Sequence, residues 1–487
     1  MQLPGKNTKP YLAIILVLAI IFFAIWTLLG IILIRGIKAL PTSSQATAEL
    51  VLETQPTKTL PNKTPQPKTT QEADDPAETQ EPEPEPEPES GATLDPQTEK
   101  MMDRIEQQVS EVRSLTMDKR IPRKVLTSEE LRVYVEEEML EEFDDEGSLE
   151  DMRKYALLGF FERGFELRPL LEDLYSEQIA GFYKIEEGEM YVIADEELTI
   201  NERLTYAHEY VHALQYANYD FEDELNYNDD ACEEDSERCA AILALIEGDA
   251  SFSQFKWFEN FATQKDVIEL LASIDDYESP VLDNAPPYLS ASLMFPYDQG
   301  TKFVEHLYSL GGYDAINEAF RTKPPLSTEQ IMFPERYPDD LPLKPEMPGD
   351  PALLLGEDWE LSDSGAVGAW DMFLMLTKGL ESAAHLDEAT ALDAVEGWGG
   401  DTYHFYQNKS QDEFLFVMYA VWDTEKDNQE ALAAFNTQLS RRFGQHIGGL
   451  HDSHGYYALL QQGDNGFVLI ITEGPESLIA LYEGFKN

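Results

Sequence analysis

The pentapeptide His208-Glu209-Tyr210-Val211-His212 constrains this chain more than any other feature. Its two histidines stand four residues apart, so they share a face only on a helix, where their Cβ atoms lie roughly 5–6 Å apart. Two imidazoles so arranged can converge on one Zn²⁺ at about 2.0–2.1 Å. The glutamate between them then projects beside the metal, where it can take a proton from water. The competing account is two packed helix histidines flanking a solvated glutamate. Histidine is scarce, 8 in 487 residues, which weighs against coincidence. Local sequence supports a helix: Thr199-Ile200-Asn201-Glu202 has the form of a capping box, so a helix is expected to begin near Ile200. Leu204, Ala207, Val211, Ala213 and Leu214 continue it without Pro or Gly. The motif falls in the second and third turns, away from the fraying end.

A catalytic zinc keeps three protein ligands and one open position. The next helical pattern, Ala240 to Phe261, carries Leu243, Ile246 and Ala250 at three- and four-residue spacing, with Glu247 among them. A carboxylate in so apolar a setting is costly unless paired or bound to metal. Glu247 is therefore the expected third ligand, against the alternative that it faces solvent. Gly248 weakens this helix by roughly 1 kcal/mol relative to Ala. It marks either close approach of the His208–His212 helix or a break.

With these residues in hand, the chain resembles the glutamate zincins (gluzincins), metallopeptidases that pair H-E-x-x-H with a downstream helical Glu. The resemblance implies His208, His212 and Glu247 as zinc ligands and Glu209 as general base. Two departures stand out. An acidic insertion, Tyr219 to Arg238, lengthens the gap to Glu247, and Ser251 occupies the position four residues on where the family often has an Asp; the nearby acid is Asp249. A broader likeness rests on Glu177-Gln178-Ile179-Ala180-Gly181-Phe182-Tyr183, Glu247-Gly248-Asp249-Ala250, Ser327-Thr328-Glu329-Gln330 and Gly397-Trp398-Gly399-Gly400-Asp401. These are similar to landmarks of uncharacterised secreted or membrane-tethered bacterial and archaeal HExxH proteins, and they imply no substrate.

The rest of the chain bounds where such a site would work. Residues 1–10 are expected to be a cytoplasmic tail. Tyr11 to Ile34 is an uncharged apolar run long enough to cross a bilayer core of about 30 Å. It exceeds the roughly 7–15-residue core of a cleaved signal peptide, so an uncleaved anchor is expected. Residues 35–100, rich in Pro, Thr, Gln and Glu, read as a disordered stalk whose alternating Glu-Pro tract favours extended polyproline II. The formal charge of −58 excludes nucleic acid as a partner by repulsion. The acidic insertion could instead attract Ca²⁺, although it lacks EF-hand spacing. Cys232 and Cys239 are the only cysteines and read as a local disulfide, with two free thiols as the alternative.

The expected fold class is α+β. A mainly helical, zincin-like domain with a small sheet spans 101–340, and a ββαββα-like domain spans 352–487 with helices on one sheet face. Gly181 to Ile185 and Glu189 to Ala194 read as a hairpin through Glu187-Gly188. The strand just before the motif helix would be the edge that receives an extended peptide. Met101 to Phe161 reads as helical, with a break near Ile121-Pro122, and Asp298 to Tyr308 as another helix. Tyr297 and His306 are the candidate donors to a developing oxyanion. The expected function is peptide or protein hydrolysis at a membrane-anchored, extracellular zinc site. The alternatives are a surface binding or adhesion protein with a structural zinc, and a zinc hydrolase acting on a non-peptide amide. Oligomeric state is not legible.

Overall fold

The computed structural model describes residues 95–135, 140, 146–178, 181–184, 187–193, 198–276, 279–444, 450–453, 455–463 and 465–485. The expected tail, membrane anchor and most of the stalk lie outside these residues. Among the described residues no helix is long and apolar enough to cross a membrane.

The first described element is helix α1, Pro96–Arg113, capped by the Asp95 carboxylate. Helix therefore begins inside the segment expected to be stalk, because Asp95-Pro96 supplies an N-cap and an N1 proline. Strand β1 (Arg123–Leu126), helices α2 (Ser128–Tyr134), α3 (Glu146–Leu158) and α4 (Leu167–Gln178), and strands β2 (Gly181–Lys184) and β3 (Glu189–Ile193) follow. Residues expected to be helical after Pro122 thus include a strand. β1 pairs in parallel with β3, and β2 pairs antiparallel with β3, so β3 is central and β2 is an edge.

Helix α5 (Ile200–Asn218) begins where its capping box dictates: the Thr199 hydroxyl accepts from Glu202 N–H while the Glu202 carboxylate accepts from Thr199 N–H. Every residue from Leu204 to Gln215 is buried. α5 packs against α1, β2 and the ligand-bearing helix described next. Helices α6 (Asp229–Glu234) and α7 (Ser236–Phe261) are joined by a Cys232–Cys239 disulfide, as expected. Helices α8 (Gln264–Asp276), α9 (Pro280–Asn284), α10 (Pro287–Gly311), α11 (Tyr313–Arg321) and α12 (Thr328–Met332) complete this part. α10 starts well before the expected Asp298 and runs through Pro296.

Gly248 does not break α7, and its nearest neighbours belong to α10. A Cβ at Gly248 would overlap the backbone of Gly300 on α10, and a Cβ at Gly300 would overlap the Ala244 carbonyl. The close approach is therefore between α7 and α10. Gly248→Ala should force the two helices apart, costing about 1–3 kcal/mol. A urea midpoint unchanged from wild type would contradict so tight a crossing.

The remaining elements are α13 (Pro351–Leu355), β4 (Trp359–Gly365), α14 (Gly368–Thr377), a 3₁₀ turn at Ser382–Ala384, α15 (Glu388–Val395), β5 (Trp398–Asn408), β6 (Glu413–Trp422), α16 (Glu425–Phe443), β7 (Leu450–Ser453), β8 (Tyr456–Gln462), β9 (Gly466–Thr472) and α17 (Pro475–Phe485). The strands form one antiparallel sheet in the order β4-β5-β6-β9-β8-β7. The class is α+β, as expected, but the helices cover both sheet faces. On β6, Phe414, Phe416 and Met418 enter one core beneath α14 and α16, while Leu415 and Val417 enter a second core beneath α17. Successive strand residues face opposite ways, so a strand apolar at every position needs cover on both sides.

The larger core is continuous from Leu131 on α2, through Phe182 on β2 and Leu289 and Leu293 on α10, to Ile471 on β9. Three buried acids tie its parts together. Glu237 accepts from the Thr328 amide and hydroxyl, both at 2.7 Å. Glu329 accepts from Gly397 N–H at 2.7 Å. Asp401 accepts from the Val367 and Gly368 amides and the Trp398 indole. The Ser327–Gln330 and Gly397–Asp401 landmarks are thus structural ties.

Candidate metal centre

Consecutive turns of α5 bring His208 and His212 to one face, their ring centroids 4.8 Å apart. α7 crosses that face and presents Glu247. His208 Nε2 lies 3.1 Å from Glu247 Oε2, and His212 Nε2 lies 3.3 Å from the same oxygen. All three residues are buried, with exposures of 1%, 3% and 0%. Both histidines turn Nε2 towards the carboxylate, and the three ligand atoms lie within 4.8 Å of one another.

These dimensions fit a tetrahedral cation. With bonds of about 2.0–2.1 Å, neighbouring ligand atoms on a tetrahedron stand about 3.3–3.4 Å apart. Donor chemistry agrees: among the described residues, His212 Nε2 and Glu247 Oε1 have no hydrogen-bond partner. Buried polar atoms without partners are costly and call for a missing ligand. Two imidazoles and one carboxylate form a familiar zinc set.

The three side chains also shift one another's protonation. Burial alone would lower the His212 value, but the Glu247 and Glu209 carboxylates outweigh it and push it up to about 9. Burial would raise Glu247, yet His212 and His208 hold it down at about 2. Burial pulls His208 below its ordinary value, against Glu247 and the neighbouring Gln254 amide. Glu247 is thus held as a carboxylate facing both imidazoles.

Glu209 projects between the histidines towards β2. Its Oε2 accepts from Tyr183 N–H at 2.8 Å, whereas Oε1 has no hydrogen-bond partner among the described residues. Burial, opposed by His212, pushes this carboxyl up to about 7. The strand next to the site is therefore the edge strand β2; β3, which immediately precedes the motif helix, lies in the middle of the sheet.

Of the two oxyanion candidates, Tyr297 reaches the site. Its ring centroid is 6.1 Å from that of His208, and it is 1% exposed. His306 lies further along α10, past Gly300, and is only partly buried. Nine residues of helix separate it from Tyr297, about 13 Å of rise, so one reacting centre does not use both.

Sequence reasoning missed three contributors. Tyr227, from the acidic insertion, is a buried phenol with no partner for its hydroxyl among the described residues; burial, then Tyr216 and Glu247, raise its pKa. Gln215 bonds His212 Nδ1 at 2.9 Å. Arg113 is fully buried and paired with Asp249. Gln215 was detectable, one turn after His212 on the same face. Arg113, remote in sequence, left no signal.

One other described group could gather three ligand atoms: Glu329, Asp340 and Asp423. Arg336 already stands among them, 2.9 Å from Asp423 and 3.6 Å from Glu329, and supplies the positive charge. The acidic insertion, considered for Ca²⁺, forms no such group among the described residues. Its Tyr219, Phe221, Leu225 and Tyr227 are buried, and its intervening acids point outward.

A family model described as a domain of unknown function (DUF8575) matches residues 358–479. That span covers the six-stranded sheet and none of the metal-centre residues. No curated protein and no solved structure matches the chain.

Proposed function

We propose that the protein is a zinc-dependent peptidase of gluzincin type, with a zincin-like helical part anchored by the apolar segment 11–34 and working outside the cell. The observation that carries the reading is Glu209, a buried carboxylate with one oxygen on the Tyr183 amide and the other without a partner among the described residues, beside a His208–His212–Glu247 set of tetrahedral dimensions. Bound in this set, zinc supplies Lewis acidity, making a water ionise near pH 7 and polarising a carbonyl. Glu209 Oε1 would accept the proton of the attacking water and pass it to the leaving amine. Oε2 stays on the Tyr183 amide and keeps the carboxylate turned towards the substrate. Tyr297, beside His208, would donate to the developing oxyanion. The outer edge of β2 would receive the substrate as an added strand alongside Tyr183, whose own amide stays with Glu209.

The surface-protein alternative draws on one observation, the near-complete burial of all three ligands. A structural zinc sits in a closed site, whereas a catalytic one keeps an open position. The purified full chain should bind one equivalent of zinc and cleave members of a random peptide library. It should lose that activity to a chelator and regain it with Zn²⁺. Stoichiometric zinc that resists chelation, with no peptide cleaved, would favour the structural role; no bound zinc would sink both.

A further inference from the structure

We infer that Gln215 is a positioning residue for the metal centre, the first link of a buried relay, His212–Gln215–Asp249–Arg113, that decides which nitrogen of His212 is offered to the metal. The inference rests on the zinc reading above. The amide is oriented by its own partners. Gln215 Nε2 donates to the Ile246 carbonyl at 3.0 Å and to Asp249 Oδ2 at 2.9 Å, which uses both its hydrogens. Its oxygen is thereby turned to His212 Nδ1, 2.9 Å away. An amide oxygen only accepts, so His212 carries its hydrogen on Nδ1. Nε2, facing Glu247, is the nitrogen left to a cation, which would take the place of any proton there.

Asp249 is held just as firmly. Arg113 Nε stands 2.8 Å from Oδ1 and 3.0 Å from Oδ2, and the Ser253 hydroxyl donates to Oδ1 at 3.3 Å. Arg113 in turn donates to Asn317 Oδ1 at 2.8 Å and to the Tyr219 hydroxyl at 2.9 Å, and its guanidinium lies 4.8 Å from the Tyr313 ring centroid. Gln215, Asp249 and Arg113 are each 0% exposed. Gln215 occupies the place that a carboxylate bonded directly to the histidine would otherwise take, and Asp249 stands one link behind it. Inserting a neutral amide has an electrostatic consequence. The carboxylate charge is compensated by Arg113 and kept one residue away from Glu247 and Glu209, so His212 is oriented without a third anion against the ligand set.

Two substitutions in the full chain separate positioning from space-filling. Gln215→Met keeps the volume and removes the acceptor; Gln215→Glu keeps the oxygen facing His212 Nδ1 and adds a buried charge; both lose the amide donors to Ile246 and Asp249. A purely structural Gln215 predicts that Met is tolerated and Glu is not, whereas a positioning residue predicts the reverse order for metal affinity. Zinc affinity, measured by competition with a chromophoric chelator, should fall about 10–100-fold in Gln215→Met. Gln215→Glu should bind zinc more tightly than Gln215→Met. The visible bands of the Co²⁺-loaded protein should shift in Gln215→Met. Equal affinity of Gln215→Met and wild type, or tighter binding by Gln215→Met than by Gln215→Glu, would overturn the relay. Should Gln215→Met fail to fold, Asp249→Asn carries the test: weakened zinc supports the relay and unaltered affinity overturns it. A wild-type chain that binds no zinc sinks the inference together with the peptidase reading. Zinc binding in the expected order, without cleavage of any peptide, supports the relay and sinks the peptidase reading alone.

Discussion

Glu209→Gln should leave zinc in place and remove hydrolysis, lowering kcat by about 10²–10⁴-fold. The side chain is not among the three metal-ligating residues, so the metal-binding set stays intact. A glutamine oxygen can still accept from the Tyr183 amide, which preserves the contact between α5 and β2. What is lost is the basic oxygen: an amide cannot take a proton from water and hand it on. Metal content and kcat must therefore be measured on the same preparation. Full zinc with turnover within tenfold of wild type would mean that Glu209 is not the base. Loss of both metal and activity would mean that it supports the ligand set instead.

Arg113→Met should cost about 3–5 kcal/mol of stability, the usual penalty for removing one partner of a buried ion pair. The guanidinium is fully buried and holds Asp249, Asn317 and Tyr219 together. Its loss strands the Asp249 charge in a fully buried position. Much of the cost should disappear when the stranded charge is removed as well. Arg113→Met combined with Asp249→Asn should therefore unfold at a higher urea concentration than Arg113→Met alone. A single substitution costing less than about 1 kcal/mol would place the pair among weak surface-like bridges and contradict its burial.

The motif helix was legible because its signals are local. Thr199 and Glu202 cap it, and His208, Glu209 and His212 follow at fixed spacing. Glu247 was legible for the opposite reason: a charge among Leu243, Ile246 and Ala250 needs an explanation. The β2–β3 hairpin was legible from its turn glycine, Gly188, which adopts positive φ. Strands β4 and β7 were not. β4, Trp-Glu-Leu-Ser-Asp-Ser-Gly, is an edge strand with mixed exposure and no apolar alternation. β7 is four residues long and pairs with β8 alone. The true start of α10 was hidden by Pro286, Pro287 and Pro296, which read as breakers although Pro287 is an acceptable first residue. The supporting shell was hidden for a different reason. Arg113 and Asp249 meet only after α1 has packed on α7, and nothing in the spacing of either announces the other.

The continuous core has a bearing on when the centre can come into being. α10 presses Gly300 into α7 beside the ligand Glu247, yet its first turns, at Leu289 and Leu293, are embedded in a core that closes only with Phe467, Leu469 and Ile471 of β9. The last residue of the His208–His212–Glu247 group is added to the chain at position 247, and the strand that completes the surrounding core ends near residue 471. At synthesis rates of about 5–20 residues per second, the interval is on the order of tens of seconds. Throughout it, the nascent chain carries both histidines and the glutamate but not the packing that holds them at tetrahedral spacing. The packing around the His208–His212–Glu247 group is in this way completed only once the sheet has been translated.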